Sequence, residues 1–245
     1  MNTMTVVHSE WLKIRSLRGV FSSLWSMVLV TVAITLLVSA TIGRQEAGAP
    51  GADLLFGAFY ALNFGQIAAM AFGATALSSE FLGEALRTSL TAVPRRGLFY
   101  CAKMTTVGAL ALVAGMITSL LAFVGGQLFL GDVAIGLTHP GVLRAVLGGG
   151  LYLCLIALFA AGLTAMLRSA VVVLSILIPF LLVVSFVVGD VAGGVAQYLP
   201  DRAGQLILHQ HQEGSLGPWT GLGVLFLWTA AAQLAGWWMV RTRDA

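Results

Sequence analysis

Six apolar runs of about twenty residues each constrain this chain more than any other feature. A helix needs a run of that length to cross a hydrocarbon layer roughly 30 Å thick. The runs cover approximately residues 21–42, 54–77, 104–127, 142–167, 170–188 and 219–240. In lipid every backbone N–H and C=O must be satisfied within the protein, so such runs form helices or closed barrels, and continuous apolar runs select helices. The expected fold is therefore all-α, a single transmembrane domain over residues 1–245 with six spans. Composition agrees: 58% of residues are hydrophobic and 9% charged, whereas a soluble domain carries about a quarter charged residues.

Charge placement orients the spans. With both ends inside, ten of the thirteen basic residues fall on the cytoplasmic side and only Arg44, Arg144 and Arg202 fall outside. Excess Lys and Arg in cytoplasmic loops is the usual determinant of orientation. The expected protein is multi-pass in the plasma membrane, with both termini and the 78–103 connection cytoplasmic and the 190–217 connection extracellular. A stripe of Leu199, Ala203 and Leu206 after Pro200 predicts a short helix resting on the outer membrane surface. Over residues 5–20, Val7, Trp11 and Ile14 share one helical stripe, interrupted by Glu10 and Leu12. That segment is either an interfacial helix or an ordinary juxtamembrane segment, with Gly19 expected to mark the turn into the first span. No small-residue cleavage pattern follows that span, so it is expected to be retained.

The second span carries Gly57, Ala61, Gly65, Ala69 and Gly73 at every fourth position. Small residues in that register let helix backbones approach closely, so this is the expected packing face. Asn63 and Gln66 lie on other faces, where an amide at membrane depth needs an interhelical partner or a wet substrate path. Pro179 predicts a kink in the fifth span.

Catalytic patterns are missing from the sequence. Lys13 and Lys103 are the only lysines, and neither sits in a phosphate-binding G-x-x-x-x-G-K-[ST] loop. There is no H-E-x-x-H, and His209 and His211 lack a third nearby ligand, so no metal site is expected. Basic residues are scattered at span ends without interleaved aromatics, which excludes a nucleic-acid face. No acid or base lies near the middle of a span, which argues against an ion-coupled carrier. Energy for any transport would come from elsewhere.

The one dense set of charges is the connection from Ser78 to Gly97. Within it, Ser79-Glu80-Phe81, Leu86-Arg87-Thr88 and Leu90-Thr91-Ala92-Val93-Pro94-Arg95-Arg96, followed by Lys103, resemble the permease subunits of the second subfamily of ATP-binding-cassette exporters, in their small six-span form. The opening His8-Ser9-Glu10-Trp11-Leu12-Lys13-Ile14-Arg15-Ser16 is similar to the family's start, and the resemblance covers the whole chain. It implies an interfacial elbow helix at the N-terminus and a cytoplasmic coupling helix between spans two and three. It further implies two permeases, as a homodimer or heterodimer, working in membrane lipid with a pair of separate cytoplasmic ATPases. ATP and Mg would be bound by those ATPases, and no cofactor by this chain. The exported substrate would be hydrophobic or amphipathic.

On this reading Glu80, Glu84, Arg87, Pro94, Arg95 and Arg96 would face the ATPase. Glu80, Glu84 and Arg87 would share one helical face at i, i+4 and i+7. Leu82 and Glu84 depart from the family's usual polar residue and glycine. A non-transporting immunity or assembly partner with the same fold is the alternative.

Overall fold

The computed structural model describes residues 3–83, 96–184, 193–210 and 214–242, together with Ala85, Ser89, Thr91 and Val187. Every regular element among them is helical. Helix α1 spans Thr3–Ser16. At Leu17 the chain is extended (φ −84°, ψ 98°) before α2, Arg18–Val38. The turn expected at Gly19 therefore falls at Leu17. Its φ is negative, which a leucine adopts without strain, so the turn needs no glycine. A π-helical stretch, Ser39–Gly43, carries α2 on into the short α3, Arg44–Ala47.

The second apolar segment is two helices, α4 (Leu54–Phe59) and α5 (Leu62–Ser78). Between them the chain tightens into i→i+3 hydrogen bonds, with the Asn63 N–H donating to the Tyr60 carbonyl at 3.1 Å. A 3₁₀ residue advances about 120° where an α-residue advances about 100°, so this turn rotates α4 relative to α5. The consequence falls on the small-residue stripe. Ala61, Gly65, Ala69 and Gly73 are buried, but Gly57 is exposed and a Cβ there would meet nothing. The five-residue face expected from the sequence thus loses its first member.

Helix α6 covers Arg96–Gln127 and α7 covers Val142–Leu167. A left-handed Arg168 (φ 56°) makes the tight turn into α8, Ala170–Pro179. Proline lacks the N–H that would continue the helix, and beyond Pro179 the chain widens into a π-helical stretch, Phe180–Val184. The 193–210 segment then runs through 3₁₀ turns at Gly193–Tyr198 and Leu206–Leu208, flanking α9, Pro200–Gln205. Helix α10 is Pro218–Thr242.

Among the described residues, four helices are long and apolar enough to cross a membrane: Arg18–Ala47, Arg96–Gln127, Val142–Leu167 and Pro218–Thr242. The expected second span is two shorter helices, and the described part of the fifth, residues 170–184, is one shorter helix that turns π-helical after Pro179.

Helix α7 is the hub, packing against α5, α6 and α10. Its small residues bring three neighbours to backbone distance. A Cβ on Gly73 of α5 would run into the carbonyl of Ala157, one on Gly115 of α6 would sit 2.8 Å from the Gly150 carbonyl oxygen, and one on Gly162 would sit 2.8 Å from Ala232 of α10. Close approach of this kind is what holds helices together where apolar burial supplies no drive.

Helix α9 does not rest on a surface. Pro200, Asp201, Ala203 and Gly204 are buried, and Ile207 and Leu208 after it are almost wholly so. Glycines make the room: Gly204 lies against Tyr152 and Leu225, Gly148 against Ile207, and Gly221 against the Ala203 carbonyl. Tyr152 is about 15 Å along α7 at 1.5 Å per residue, so the segment descends well into the bundle end.

Replacing Gly73 with Ala should lower stability by about 1–3 kcal/mol through overpacking, whereas Gly57→Ala should be close to neutral. Thermal unfolding of both variants in one detergent checks this, and equal effects would mean that α5 does not meet α7 at Gly73.

Candidate functional site

Two regions concentrate polar groups. The first is at the end of α5 that joins the charged connection. There Lys103, fully buried on α6, places its Nζ 2.9 Å from Glu10 Oε2 and 2.6 Å from Glu80 Oε1. Lys13 Nζ lies 2.7 Å from Glu10 Oε1 and donates to Ser89 Oγ at 2.9 Å. Ser89 Oγ donates to Glu80 Oε2 at 2.9 Å, which closes a ring of five side chains. Two carboxylates and two ammonium groups make the ring neutral, and that balance is what permits Glu10 and Glu80 to be only 2% and 3% exposed. An unpaired charge at such burial would be very costly.

Local structure delivers each member. On α1 the buried stripe is Val6, Glu10 and Ile14, spaced i, i+4, i+8, so Glu10 points at α6 with its apolar neighbours. Val6 packs on Phe99 and Ala102, which holds α1 along the start of α6. Glu80 sits in a 3₁₀ turn, Ser79–Phe81, that follows α5. Burial alone would raise its pKa, but Lys103, then Lys13, and the Ser89 hydroxyl outweigh this and hold the carboxyl below its ordinary 4.5.

Of the residues expected to face an ATPase, the structure describes Glu80 and Arg96. Glu80 is inside the ring rather than on an outward face. Beyond it Leu82 is extended (ψ 123°) and Gly83 is left-handed (φ 60°), so the helical face expected to run through 80, 84 and 87 is broken there. Arg96 begins α6 and donates to the Val240 carbonyl near the end of α10 at 3.4 Å, where a cation complements the helix dipole. Glu84, Arg87, Pro94 and Arg95 lie outside the described residues.

The second region is a cavity of about 900 Å³ at the opposite end, between α4, α5, the end of α8 and the 193–210 segment. Asn63 and Gln66, for which the sequence left an interhelical partner or a wet substrate path open, both line it. Gln66 is 2% exposed. Its Oε1 accepts from the Tyr152 hydroxyl, whose oxygen accepts in turn from Gln205 Nε2 at 3.2 Å. Tyr152, at the hub, thus ties α5 to α9.

The rim is pinned by Asp53. Its carboxylate caps α4 through the Phe56 N–H at 2.8 Å and accepts from the Gln210 N–H at 3.0 Å. His209 Nδ1 lies 3.2 Å from it, with the imidazole stacked on Phe56 at 4.2 Å. Burial pushes the Asp53 pKa up, and the His209 contact with the two backbone donors more than reverses that, leaving it lowered. Of the His209 and His211 pair noted in the sequence, His209 is taken by Asp53 and His211 lies outside the described residues. Among the described residues no three His, Cys, Asp or Glu side chains could hold a metal ion.

No protein-family model matches the chain, and no curated protein matches it. The ring was missed from the sequence because its members are far apart: Glu10, Glu80 and Lys103 meet only through tertiary packing. One signal was present. Glu10 is the residue that interrupts the amphipathic stripe of the first helix, and an acid on an otherwise apolar stripe requires a buried base.

Lys103→Met leaves Glu10 and Glu80 buried with only the half-exposed Lys13, so it should destabilise by about 3–5 kcal/mol. Adding Glu80→Gln should recover part of that loss in the same unfolding assay, and no recovery would place the two side chains apart. Because the Glu80 pKa is lowered in the fold, its contribution is full above pH 4.5 and is lost as pH falls through the folded value. The drop in unfolding temperature below pH 4.5 should therefore shrink in Glu80→Gln, and an unchanged drop would assign it to other carboxylates.

Proposed function

We propose that this chain is the membrane permease subunit of an ATP-binding-cassette exporter, powered by a separate cytoplasmic ATPase pair and working beside a second permease. Six segments cross the plasma membrane in this reading, with α4–α5 and α8 as interrupted crossings. Both termini and the 78–103 connection are cytoplasmic. ATP and Mg belong to the ATPases, and this chain carries out no chemistry.

The observation that supports the reading is the buried ring. It joins the start of the charged connection, through Glu80 and Ser89, to α1 through Glu10 and Lys13 and to α6 through Lys103. A force on the connection would then reach two other helices together, because moving any one of them alone would leave a buried charge unpaired. Small displacements of such packed elements are how ligand-driven machines switch between discrete states. From α6 the displacement would pass to the hub helix α7, and through Tyr152 to Gln66 and Gln205 at the outer cavity. In this reading Glu80 is a positioning residue, and Glu84 and Arg87 are the ones that meet the ATPase.

Reversal of single charges tests the assignment. Glu84→Lys and Arg87→Glu should leave insertion and folding intact while each lowers ATPase recovery in co-purification, by about 1–3 kcal/mol of association if the contact is partly buried. Substrate-stimulated hydrolysis should fall in parallel. Full ATPase recovery with both variants would remove the connection as the docking element and with it this reading.

A further inference from the structure

The outer cavity carries an arrangement that the lever argument does not use. Four amides line it. Gln197 is engaged at both ends, its Nε2 donating to the Gly194 carbonyl at 2.6 Å and to Ser215 Oγ at 2.9 Å and its Oε1 accepting from the Ser215 N–H at 3.2 Å, whereas each of the other three has one end fastened within the protein. Asn63 donates through Nδ2 to the Tyr60 carbonyl at 3.0 Å, Gln66 accepts through Oε1 from Tyr152, and Gln205 donates through Nε2 to the same phenol at 3.2 Å. The other ends, Asn63 Oδ1, Gln66 Nε2 and Gln205 Oε1, have no partner among the described residues. The cavity is thus offered an acceptor, a donor and an acceptor. They are held in orientation by bonds on the far side of each amide, so little ordering remains for a ligand to impose.

Aromatic rings line the same space. Phe56, Tyr60 and Phe64 follow one another edge to face, with centroids 6.1 and 6.2 Å apart. Tyr60 and Phe64 leave 45% and 38% of their surface exposed. Charge does not dominate. The lining holds one acid, Asp201, and one strong base, Arg202, each already engaged within the protein, and His209 faces Asp53. A cationic or anionic ligand would find no uncompensated counter-charge in this lining. A purely apolar ligand would leave three oriented amide groups without water or partner, which is unfavourable.

From the amides and the ring ladder together we infer that the outer cavity binds an uncharged, multiply hydroxylated ligand with an apolar face, a glycoside. Hydroxyls both donate and accept, which matches the alternating amide ends, and the C–H face of a sugar ring lies flat on an aromatic one. The sugar can arrive as a free glycoside or as the headgroup of a glycolipid. This rests on the permease reading only for its biological use; the binding itself does not depend on it.

The test is equilibrium binding of labelled octyl β-glucoside, below its micelle concentration, to the full chain in phosphatidylcholine nanodiscs, with empty discs subtracted. Saturable binding is expected, undisturbed by octyl sulfate or octyltrimethylammonium, which share the tail but carry charge. Asn63→Ala should weaken it about tenfold, the loss of roughly one good hydrogen bond. Gln66→Leu should do the same. The half-buried Asn63 position keeps the test alive if Gln66→Leu, which strips Tyr152 of its acceptor, does not fold. Competition by methyl β-glucoside assigns the site to free glycosides, and competition only by glucosyl-diacylglycerol in the disc assigns it to a headgroup. Equal displacement by the charged octyl compounds, competition by neither sugar, or full affinity in both variants overturns the inference. No ATPase is present in this assay, so a negative result leaves the permease reading standing, and loss of ATPase docking leaves this one standing.

Discussion

A fully buried lysine governs how one end of this helix bundle is built. Lys103 cannot stay charged inside the bundle unless carboxylates meet it there, and Glu10 and Glu80 do so from two different elements. Two carboxylates around one ammonium would leave an excess negative charge. Lys13 removes it from the solvent side, and the Ser89 hydroxyl links Lys13 back to Glu80. The result positions α1 across the start of α6 and ties both to the turn after α5. Replacing such a network with apolar side chains is often tolerated energetically.

Away from the ring the bundle relies on close approach rather than charge. Helix α7 is lined with glycine and alanine where α5, α6 and α10 cross it, and these contacts run backbone to backbone. One large residue stands among the small ones. Tyr152 is wholly buried, and its hydroxyl donates to Gln66 and accepts from Gln205. That hydroxyl is satisfied on both counts, as a buried polar group must be. It also links the hub to both walls of the larger cavity, so the two ends of the molecule are joined through packed elements rather than through a loop.

Both π-helical stretches border cavities at the end of the bundle opposite the ring. Ser39–Gly43 flanks a second cavity of about 580 Å³, and Phe180–Val184 contributes Leu181 and Leu182 to the larger one. A π turn widens the helix and disrupts its regular side-chain register, which is why such turns gather at sites where a helix must open onto a space. Helix α4 is the partition between the two cavities, with Phe56 and Tyr60 bordering both, and its first turn is capped by Asp53.

The sequence by itself determined the class: long apolar runs can only be helices, and a chain so poor in charge has the character of a membrane helix bundle. It also placed Asn63 and Gln66 at a polar space and most of the α5 stripe at a helix contact, because amides and glycines at membrane depth have few other uses. It could not show that α4 turns Gly57 away, since a two-residue 3₁₀ turn between apolar neighbours leaves no compositional trace. Nor could it show that α9 is buried, because the glycines that admit it, Gly148 and Gly221, lie on other helices. Glu80 is the sharpest case. Local spacing put it on one helical face with Glu84 and Arg87, but a charge's position is decided by where its counter-charge sits, and Lys103 and Lys13 reach it only once three helices have packed.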